Sequence, residues 1–213
     1  MDAEVFRAWI VSAAEVIEAN RDHLTQLDAA IGDADHGINL SRGFTAVLGA
    51  LDAAEAKTST PGAILTLTGN TLISKVGGAS GPLYGTAFRR AGKALGGAAD
   101  VDLAALSAAL DAALAGVQQL GAAREGDKTM VDAWSPAVHA YQSVIDSGGP
   151  LGTATRAAAE AAAQGLQDTV PMTARKGRAS YLGSRTVGHE DPGAASTVLI
   201  LQALASATAK VTT

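Results

Sequence analysis

The chain has 213 residues, of which 47% are hydrophobic and only 4% aromatic, and its formal net charge is −5. The acidic net charge argues against a general nucleic-acid-binding protein. The absence of cysteine excludes disulfides and thiol chemistry, and it fits a reducing compartment. The N-terminal residues lack the basic region of a signal peptide, and no apolar run reaches the roughly 18 residues of a membrane span, so we predict a cytoplasmic protein that binds neither membrane nor nucleic acid.

Apolar residues recur at helical spacing along almost the whole chain, and no alternating run predicts a strand. Because nothing divides the sequence cleanly, we predict one domain over residues 1–213 with a core of Leu, Val, Ile and Ala. The predicted fold is an all-α, eight-helix antiparallel up-and-down bundle, since most connections are short. Its helices are predicted at about 4–20, 37–51, 60–75, 80–97, 102 onward, 129–147, 150–170 and 193–208, with a frayed tail at 210–213.

The connections between these helices alternate in their chemistry. Those before the third, fifth and seventh helices, at 52–59, 96–101 and 147–149, are ordinary turns, whereas those before the second, fourth, sixth and eighth contain most of the unusual residues. In an up-and-down bundle every second connection lies at the same end. We therefore expect four chemically rich connections, and four helix N-termini, to share one rim.

The connection before the second helix contains three carboxylates at uneven spacing, Asp28, Asp33 and Asp35. This spacing does not align them on one helix face, so we predict a loop that folds back and directs all three to one point. Converging carboxylates repel one another without a cation, and oxygen ligands favour magnesium or calcium over zinc. Taken singly, Asp33 or Asp35 is better explained as a helix cap, and an EF-hand is excluded because no closing Glu follows. Free backbone N–H groups at Gly37 and Asn39 suit an anion, so the stretch predicts a site for a metal–phosphate complex.

The connections before the fourth and sixth helices offer further contacts to a ligand. Residues 77–82 are small enough for a ligand to approach the backbone, and Ser80 is equally explained as a phosphate contact or as a helix cap. Lys128 and Thr129 are candidates for phosphate contacts, although Thr129 is equally explained as an N-cap. A P-loop is excluded because an Asp interrupts the motif and no strand leads into it. Met130 is a candidate for contact with a nucleotide base, or a core residue.

The connection before the eighth helix, residues 173–193, is unusually long. Loops of this length in compact domains are functional or disordered, and the glycines, charges and Tyr181 of this one predict an ordered lid. Arg178 is placed to neutralise charge on a transferring phosphoryl group, with a solvated basic loop as the alternative. His36 and His189 are acid–base candidates, but hydrogen-bonded structural roles are favoured for both.

Four stretches carry a resemblance to one known family, in that family's order: IGDADHGINLSRGF at 31–44, VGGASGPLYGT at 76–86, GDKTMVDAW at 126–134 and ARKGRASYLG with GHEDPGA within 174–194. Over nearly its whole length the chain resembles the ADP-binding L subunit of phosphotransferase-system-dependent dihydroxyacetone kinase. The resemblance implies an eight-helix antiparallel barrel with its nucleotide at one rim, in agreement with the alternation of the connections.

The resemblance also implies roles for individual residues. Asp28, Asp33 and Asp35 would hold two magnesium ions that bridge the phosphates of ADP or, during the cycle, ATP. The resemblance implies three further groups of nucleotide contacts. Those that would line the phosphate and ribose side are His36, Gly37, Ile38, Asn39, Ala79 and Ser80. Those that would flank adenine are Gly121 and Met130, and those that would close the site are Arg178, Asp191, Pro192 and Gly193. The chain departs from the family at Ser184, where an acidic residue is common, so the ion pairing within the lid stays open.

The mechanism that the resemblance implies is a relay. ADP stays bound, a phosphohistidine on a partner M subunit phosphorylates it to ATP in place, and the γ-phosphoryl passes to dihydroxyacetone held on a K subunit. This chain then contributes positioning and charge neutralisation, with Arg178 as its catalytic residue, and it has no kinase activity toward the sugar by itself.

Three other functions are compatible with parts of the sequence. One is a nucleotide subunit of an ATP-dependent dihydroxyacetone or tetrulose kinase that exchanges its ATP. Another is a regulatory helical module that keeps the nucleotide site only for stability. The third is a plain bundle with capped helix ends, which would require four coincidences at one rim.

Overall fold

The computed structural model describes residues 1–54 and 58–209, so the predicted tail at 210–213 and part of the predicted 52–59 turn lie outside the described residues. Within those two ranges the chain forms nine α-helices, one 3-10 segment and no strand. The all-α prediction is confirmed. The helices are α1 (Ala3–Ala19), α2 (Arg21–Ile31), α3 (His36–Ala53), α4 (Pro61–Lys75), α5 (Ser80–Leu95), α6 (Leu103–Gly121), α7 (Met130–Asp146), α8 (Leu151–Asp168) and α9 (Pro192–Thr208), and the 3-10 segment is Arg178–Thr186.

At α4, α6, α7 and α9 the helix starts that the sequence predicts are fixed by capping side chains. Each cap accepts a hydrogen bond from a backbone N–H of the first turn, which otherwise has no partner within the helix. The pairs are Thr60 with Ala63 N, Asp102 with Ala105 N, Thr129 with Val131 N and Asp191 with Ala194 N. Proline follows the cap directly in α4 and α9, where its missing N–H costs nothing.

Eight of the described helices form a closed ring. Helices α1, α3, α4, α5, α6, α7, α8 and α9 each pack on the next, and α9 packs back on α1. Trp9 helps to close the ring, because its indole Nε1 donates to Ile200 O at 2.9 Å. The Trp9 ring also lies 5.7 Å from Phe88, and Phe88 lies 6.4 Å from Phe44, so aromatic side chains of α1, α3 and α5 meet in the core.

Helix α2 is not among the predicted helices. It is a short helix with mainly polar residues, and only Leu24, Asp28 and Ile31 are buried. It packs on α3, on α9 and on the 3-10 segment, so it covers one end of the ring without being a member of it. The eight predicted helices therefore match the ring, and α2 adds a ninth at the rim.

Helix α6 is, by length and composition alone, apolar enough to cross a membrane, and it is the one such helix in the described part of the chain. Its buried residues include Leu106, Leu110 and Val117, which belong to the core of the ring. Packing within this fold is therefore sufficient to explain its apolar composition.

Candidate functional site

A cavity of about 280 Å³ opens at one end of the ring, and all four of the chemically rich connections contribute to its wall. Asp33 comes from the first connection, Ser80 from the start of α5, Met130 from the start of α7, and Arg178 and Pro192 from the fourth. The expectation that alternate connections meet at one rim is confirmed. A larger groove of about 810 Å³ lies elsewhere, between α4 and α5, but no Asp or Glu is among its described lining residues.

The three predicted carboxylates converge at this cavity. Asp28, Asp33 and Asp35 each offer one oxygen, and these oxygens all lie within 4.8 Å of one another. The predicted loop is wrong for Asp28, which is buried in the last turn of α2, while Asp33 and Asp35 lie in the short connection to α3. The three carboxylates therefore meet although Asp28 lies before the C-terminal end of α2 and the other two lie after it.

Two backbone hydrogen bonds hold one oxygen of Asp28 in place. Its Oδ2 accepts from Asp35 N at 2.8 Å and from His36 N at 3.1 Å. Ala34 adopts a φ of 61°, which turns the chain sharply between the two other carboxylates. Three carboxylate oxygens this close repel one another, so the donor set fits a hard divalent cation such as Mg²⁺.

Arg178 lies over these carboxylates. Its Nε is 2.9 Å from Asp33 Oδ2, which joins residues that are far apart in sequence. We call residues 169–191, which contain the 3-10 segment, the Arg178 loop. The tip of this loop is open to solvent, since Tyr181 is 87% exposed. The predicted ordered segment is thus present, and it covers the carboxylate side of the cavity.

Apolar side chains form part of the cavity wall, with Leu83, Val117 and Met130 among them. At Gly121 a Cβ would lie 3.3 Å from Leu83 Cδ2, so a side chain there would crowd this wall. Thr129 also lines the cavity, but its hydroxyl accepts from Val131 N as the cap of α7. The wall suits a flat apolar group such as a nucleotide base.

Three residues that the resemblance implies as nucleotide contacts do not line the cavity: Gly37, Ile38 and Asn39. The first turn of α3 packs against α2, and a Cβ at Gly37 would collide with the Arg21 carbonyl and the Thr25 hydroxyl. Ile38 is half-exposed beside Thr25, and Asn39 is buried and accepts from Arg42 at 2.9 Å. The other implied residues, Ala79, Asp191 and Gly193 included, do lie on the cavity wall.

A family model described as the DAK2 domain matches residues 30–206 of the chain. The chain belongs to the DAK2 domain family. It is 43% identical over 199 residues to the PEP-dependent dihydroxyacetone kinase, ADP-binding subunit DhaL, of Escherichia coli strain K12, a match that covers 93% of this chain and 94% of that one.

Two longer proteins also contain a region similar to this DAK2 domain. The L-erythrulose 1-kinase of Mycolicibacterium smegmatis is 38% identical over 193 residues, which are 89% of this chain and 33% of that protein. The crystal structure of the dihydroxyacetone kinase from C. freundii in complex with AMP-PNP and Mg²⁺ superimposes with a TM-score of 0.64 at 27% identity, over 96% of this chain and 33% of that one. The resemblance found in the sequence motifs is confirmed.

In this DAK2 domain, a buried hydrogen-bond network lies behind His36 and includes residues that the sequence does not single out. His36 Nε2 lies 2.8 Å from Ser196 Oγ, which in turn lies 2.7 Å from the hydroxyl of Tyr84. The Tyr84 hydroxyl also donates to Gly193 O at 3.0 Å. Burial lowers the pKa of His36, so a neutral, hydrogen-bonded imidazole agrees with the favoured structural role. Nothing in the spacing of Tyr84 and Ser196 marks them, because they meet only when the ring closes and their hydroxyls join α5 to α9.

Lys128, a candidate phosphate contact, is among the residues that line the cavity, and its amine uses two of its three donors within the protein. The side chain is 1% exposed, and its Nζ donates to the carbonyls of Thr169 and His189. Burial lowers the pKa of this amine, against the opposing effect of the nearby Asp191 carboxylate. The His189 side chain is exposed, so the contribution of His189 here is its backbone carbonyl.

Asp191 caps α9 at the edge of the cavity. Its Oδ2 accepts from Ala194 N at 2.7 Å. Burial raises the pKa of Asp191 to about 7, with the Asp132 carboxylate acting in the same direction and the Lys128 ammonium acting against it. This carboxylate therefore changes charge near neutral pH, unlike an ordinary surface aspartate.

Proposed function

We propose that this DAK2-domain chain is the ADP-binding subunit of a dihydroxyacetone kinase. The observation that carries the proposal is the convergence of Asp28, Asp33 and Asp35, with oxygens within 4.8 Å of one another, beneath the guanidinium of Arg178. The relative from Escherichia coli is named as an ADP-binding subunit, and the related C. freundii enzyme forms a complex with AMP-PNP and Mg²⁺. Both names describe a ligand that this set of residues suits.

Each side of the cavity has a separate part in this function. The three carboxylates would hold two Mg²⁺ ions, and bound Mg²⁺ would supply positive charge that screens the phosphates. The apolar wall of Leu83, Val117 and Met130 holds the adenine. Arg178 neutralises the charge that builds on the γ-phosphoryl group as it moves, for which its ion pair with Asp33 must loosen.

The proposed reaction is a relay that needs two partners in the cytoplasm. A phosphohistidine of an M subunit phosphorylates the bound ADP, and the γ-phosphoryl then passes to dihydroxyacetone on a K subunit. The likeness to the L-erythrulose 1-kinase supports a second candidate, a nucleotide subunit that exchanges free ATP and serves dihydroxyacetone or a tetrulose. Retention of ADP through extensive dialysis supports the relay, whereas steady turnover with ATP and a K-type partner alone supports exchange.

Native mass spectrometry of the purified protein tests the proposed site. We expect the mass of the chain with ADP and magnesium, and we expect Asp33→Ala to lose both, because two carboxylates then hold the cation less tightly. The matched control is Asp111→Ala, an exposed aspartate of α6, which should keep both ligands.

Two outcomes contradict the proposal. If Asp33→Ala retained metal and nucleotide, the carboxylates would not be the ligands that hold the metal. Suppose that Asp33→Ala no longer binds nucleotide but phosphoryl transfer continues in the assembled system. The chain would then be a regulatory module and not a part of the catalytic machinery.

A further inference from the structure

The buried side chain of Lys128 joins two distant parts of the Arg178 loop. Its Nζ donates to Thr169 O, just after α8, and to His189 O, just before α9. These two carbonyls lie on either side of the segment that contains Arg178 and Tyr181. Hydrogen bonds from an ammonium group are stronger than neutral ones, and a buried ammonium without such partners is very costly.

Further hydrogen bonds close the base of the Arg178 loop around this lysine. Gly188 N donates to Val170 O at 2.8 Å, and Asp191 N donates to Thr169 Oγ1 at 3.0 Å. Arg175 N donates to the carbonyl of Asp127, the residue before Lys128, at 3.0 Å. The base of the loop is thus bound to itself and to the connection that precedes α7.

The backbone of Lys128 is constrained as well. Its φ is 61°, in the left-handed region that a side chain other than glycine rarely adopts. Strained residues of this kind persist where the surrounding structure fixes them, and they concentrate at functional sites. The next two residues, Thr129 and Met130, line the cavity, so Lys128 links the cavity wall to the loop that covers it.

We propose that Lys128 is a positioning residue that anchors both ends of the Arg178 loop and thereby sets where Arg178 stands over Asp33. In this role it acts through Arg178. The anchoring is independent of the ligand, and only its consequence for phosphoryl transfer rests on the proposed function. A lysine that merely stabilised the core would lower stability without any specific relation to Arg178.

Hydrogen exchange of the protein without nucleotide tests the anchor directly. We expect the amides of Arg175, Gly188 and Asp191 to be protected at least about a hundredfold more than the amide of Tyr181 at the exposed tip. In Lys128→Met these three amides should lose at least about tenfold of their protection, while the amides of α4 and α5 keep theirs. Should Lys128→Met fail to fold, Lys128→Gln takes its place, since its amide still donates to one carbonyl. Unprotected base amides in the unmodified protein, or unchanged protection in the folded variant, would overturn the proposal.

A double-mutant cycle tests the link to Arg178. We expect Lys128→Met to slow phosphoryl transfer by about tenfold or more at saturating nucleotide, and the double variant with Arg178→Ala to be within about threefold of Arg178→Ala alone. Lys93→Met, an exposed lysine of α5, is the matched control and should transfer at the unmodified rate.

If the double variant slows transfer by the product of the two single effects, Lys128 is a structural residue and its positioning role is overturned. An unmodified protein that supports no transfer with any partner would refute the proposed function instead, and the exchange experiment would still decide whether Lys128 anchors the loop.

Discussion

Individual carboxylates at the rim differ in what surrounds them, although all come from aspartate. Asp28 is buried and accepts two backbone hydrogen bonds, Asp33 is paired with Arg178, and Asp191 is buried as a helix cap. The two backbone N–H groups fix the orientation of the Asp28 carboxylate toward the other two aspartates. The burial of Asp191 favours its protonated form.

Replacement of Arg178 should affect the reaction much more than binding or stability. We expect Arg178→Ala to slow phosphoryl transfer by about 10²- to 10³-fold, because charge on the moving phosphoryl group is no longer neutralised. The side chain is 73% exposed, so its ion pair with Asp33 contributes less than about 1 kcal/mol to folding. Single-turnover kinetics, with nucleotide affinity measured separately, separates these effects.

Arg185→Ala is the matched control for that experiment, since Arg185 is an exposed arginine of the same 3-10 segment. It should transfer at the unmodified rate. Equal losses for Arg178→Ala and Arg185→Ala would mean that the general positive charge of the loop matters, and not the position of one guanidinium.

The titration of Asp191 should make stability depend on pH in a specific direction. Its pKa of about 7 in the folded protein lies above the ordinary value of 3.8, so the folded chain keeps a proton that the unfolded chain loses. Between these two values the folded state binds more protons, so the stability that this group contributes falls as the pH rises from about 4 to about 7. We expect the free energy of unfolding, taken relative to Asp191→Asn, to fall by up to about 4 kcal/mol over that window and to be level above about pH 8.

Chemical denaturation of both proteins across this pH range provides the measurement, and the difference between them removes the contributions of all other groups. A difference that stays constant from pH 4 to pH 8 would show that Asp191 is ionised throughout, held so by its bond from Ala194 N and by the Lys128 ammonium.

At the scale of helices, α4 and α5 pack closely because glycines face each other across them. A Cβ at Gly85 would lie 2.7 Å from Gly69 O and would collide with Ile73, and a Cβ at Gly69 would lie 2.5 Å from Gly85 O. We expect Gly85→Ala to destabilise the protein by about 1–3 kcal/mol in urea denaturation, because a backbone carbonyl cannot move aside.

Gly49→Ala is the control for this prediction. Gly49 is in α3 with open space around it, so alanine there should stabilise the protein by roughly 0.5–1 kcal/mol through helix propensity. If Gly85→Ala were as stable as the unmodified protein, α4 and α5 would have space for a methyl group between them, which would contradict their close packing.

At the scale of the whole molecule, the ring brings four connections from distant parts of the sequence to one cavity. Binding of ADP with Mg²⁺ at about 100 times its Kd should stabilise the folded protein by about 2.7 kcal/mol, because the unfolded chain has no such cavity. Chelation of Mg²⁺ should remove most of this gain, since the phosphates would then face three carboxylates. Thermal unfolding with ADP, with ADP and Mg²⁺, and with ADP and EDTA measures these effects.

The same three conditions applied to Asp33→Ala serve as the control, and this variant should show little gain from Mg²⁺. An equal rise in melting temperature with and without Mg²⁺ in the unmodified protein would contradict a metal-dependent site.

Local signals in the sequence determine the all-α fold, most helix starts and the shared rim. Helical periodicity of apolar residues, capping side chains such as Thr60 and Asp102, and the alternation of rich and ordinary connections need no knowledge of packing. The three aspartates, Arg178 and the motifs that indicate the DAK2 family follow from the same local patterns.

Tertiary structure alone decides what each side chain at the rim has as its partner. Helix α2 is short and mainly polar, and it is a helix because its few apolar residues pack on α3 and α9. The same packing turns Gly37 away from the cavity, and the folding of the Arg178 loop supplies the two carbonyls that occupy Lys128. Such contacts join residues far apart in the chain, and their free energy depends on three-dimensional distance, which residue spacing does not determine.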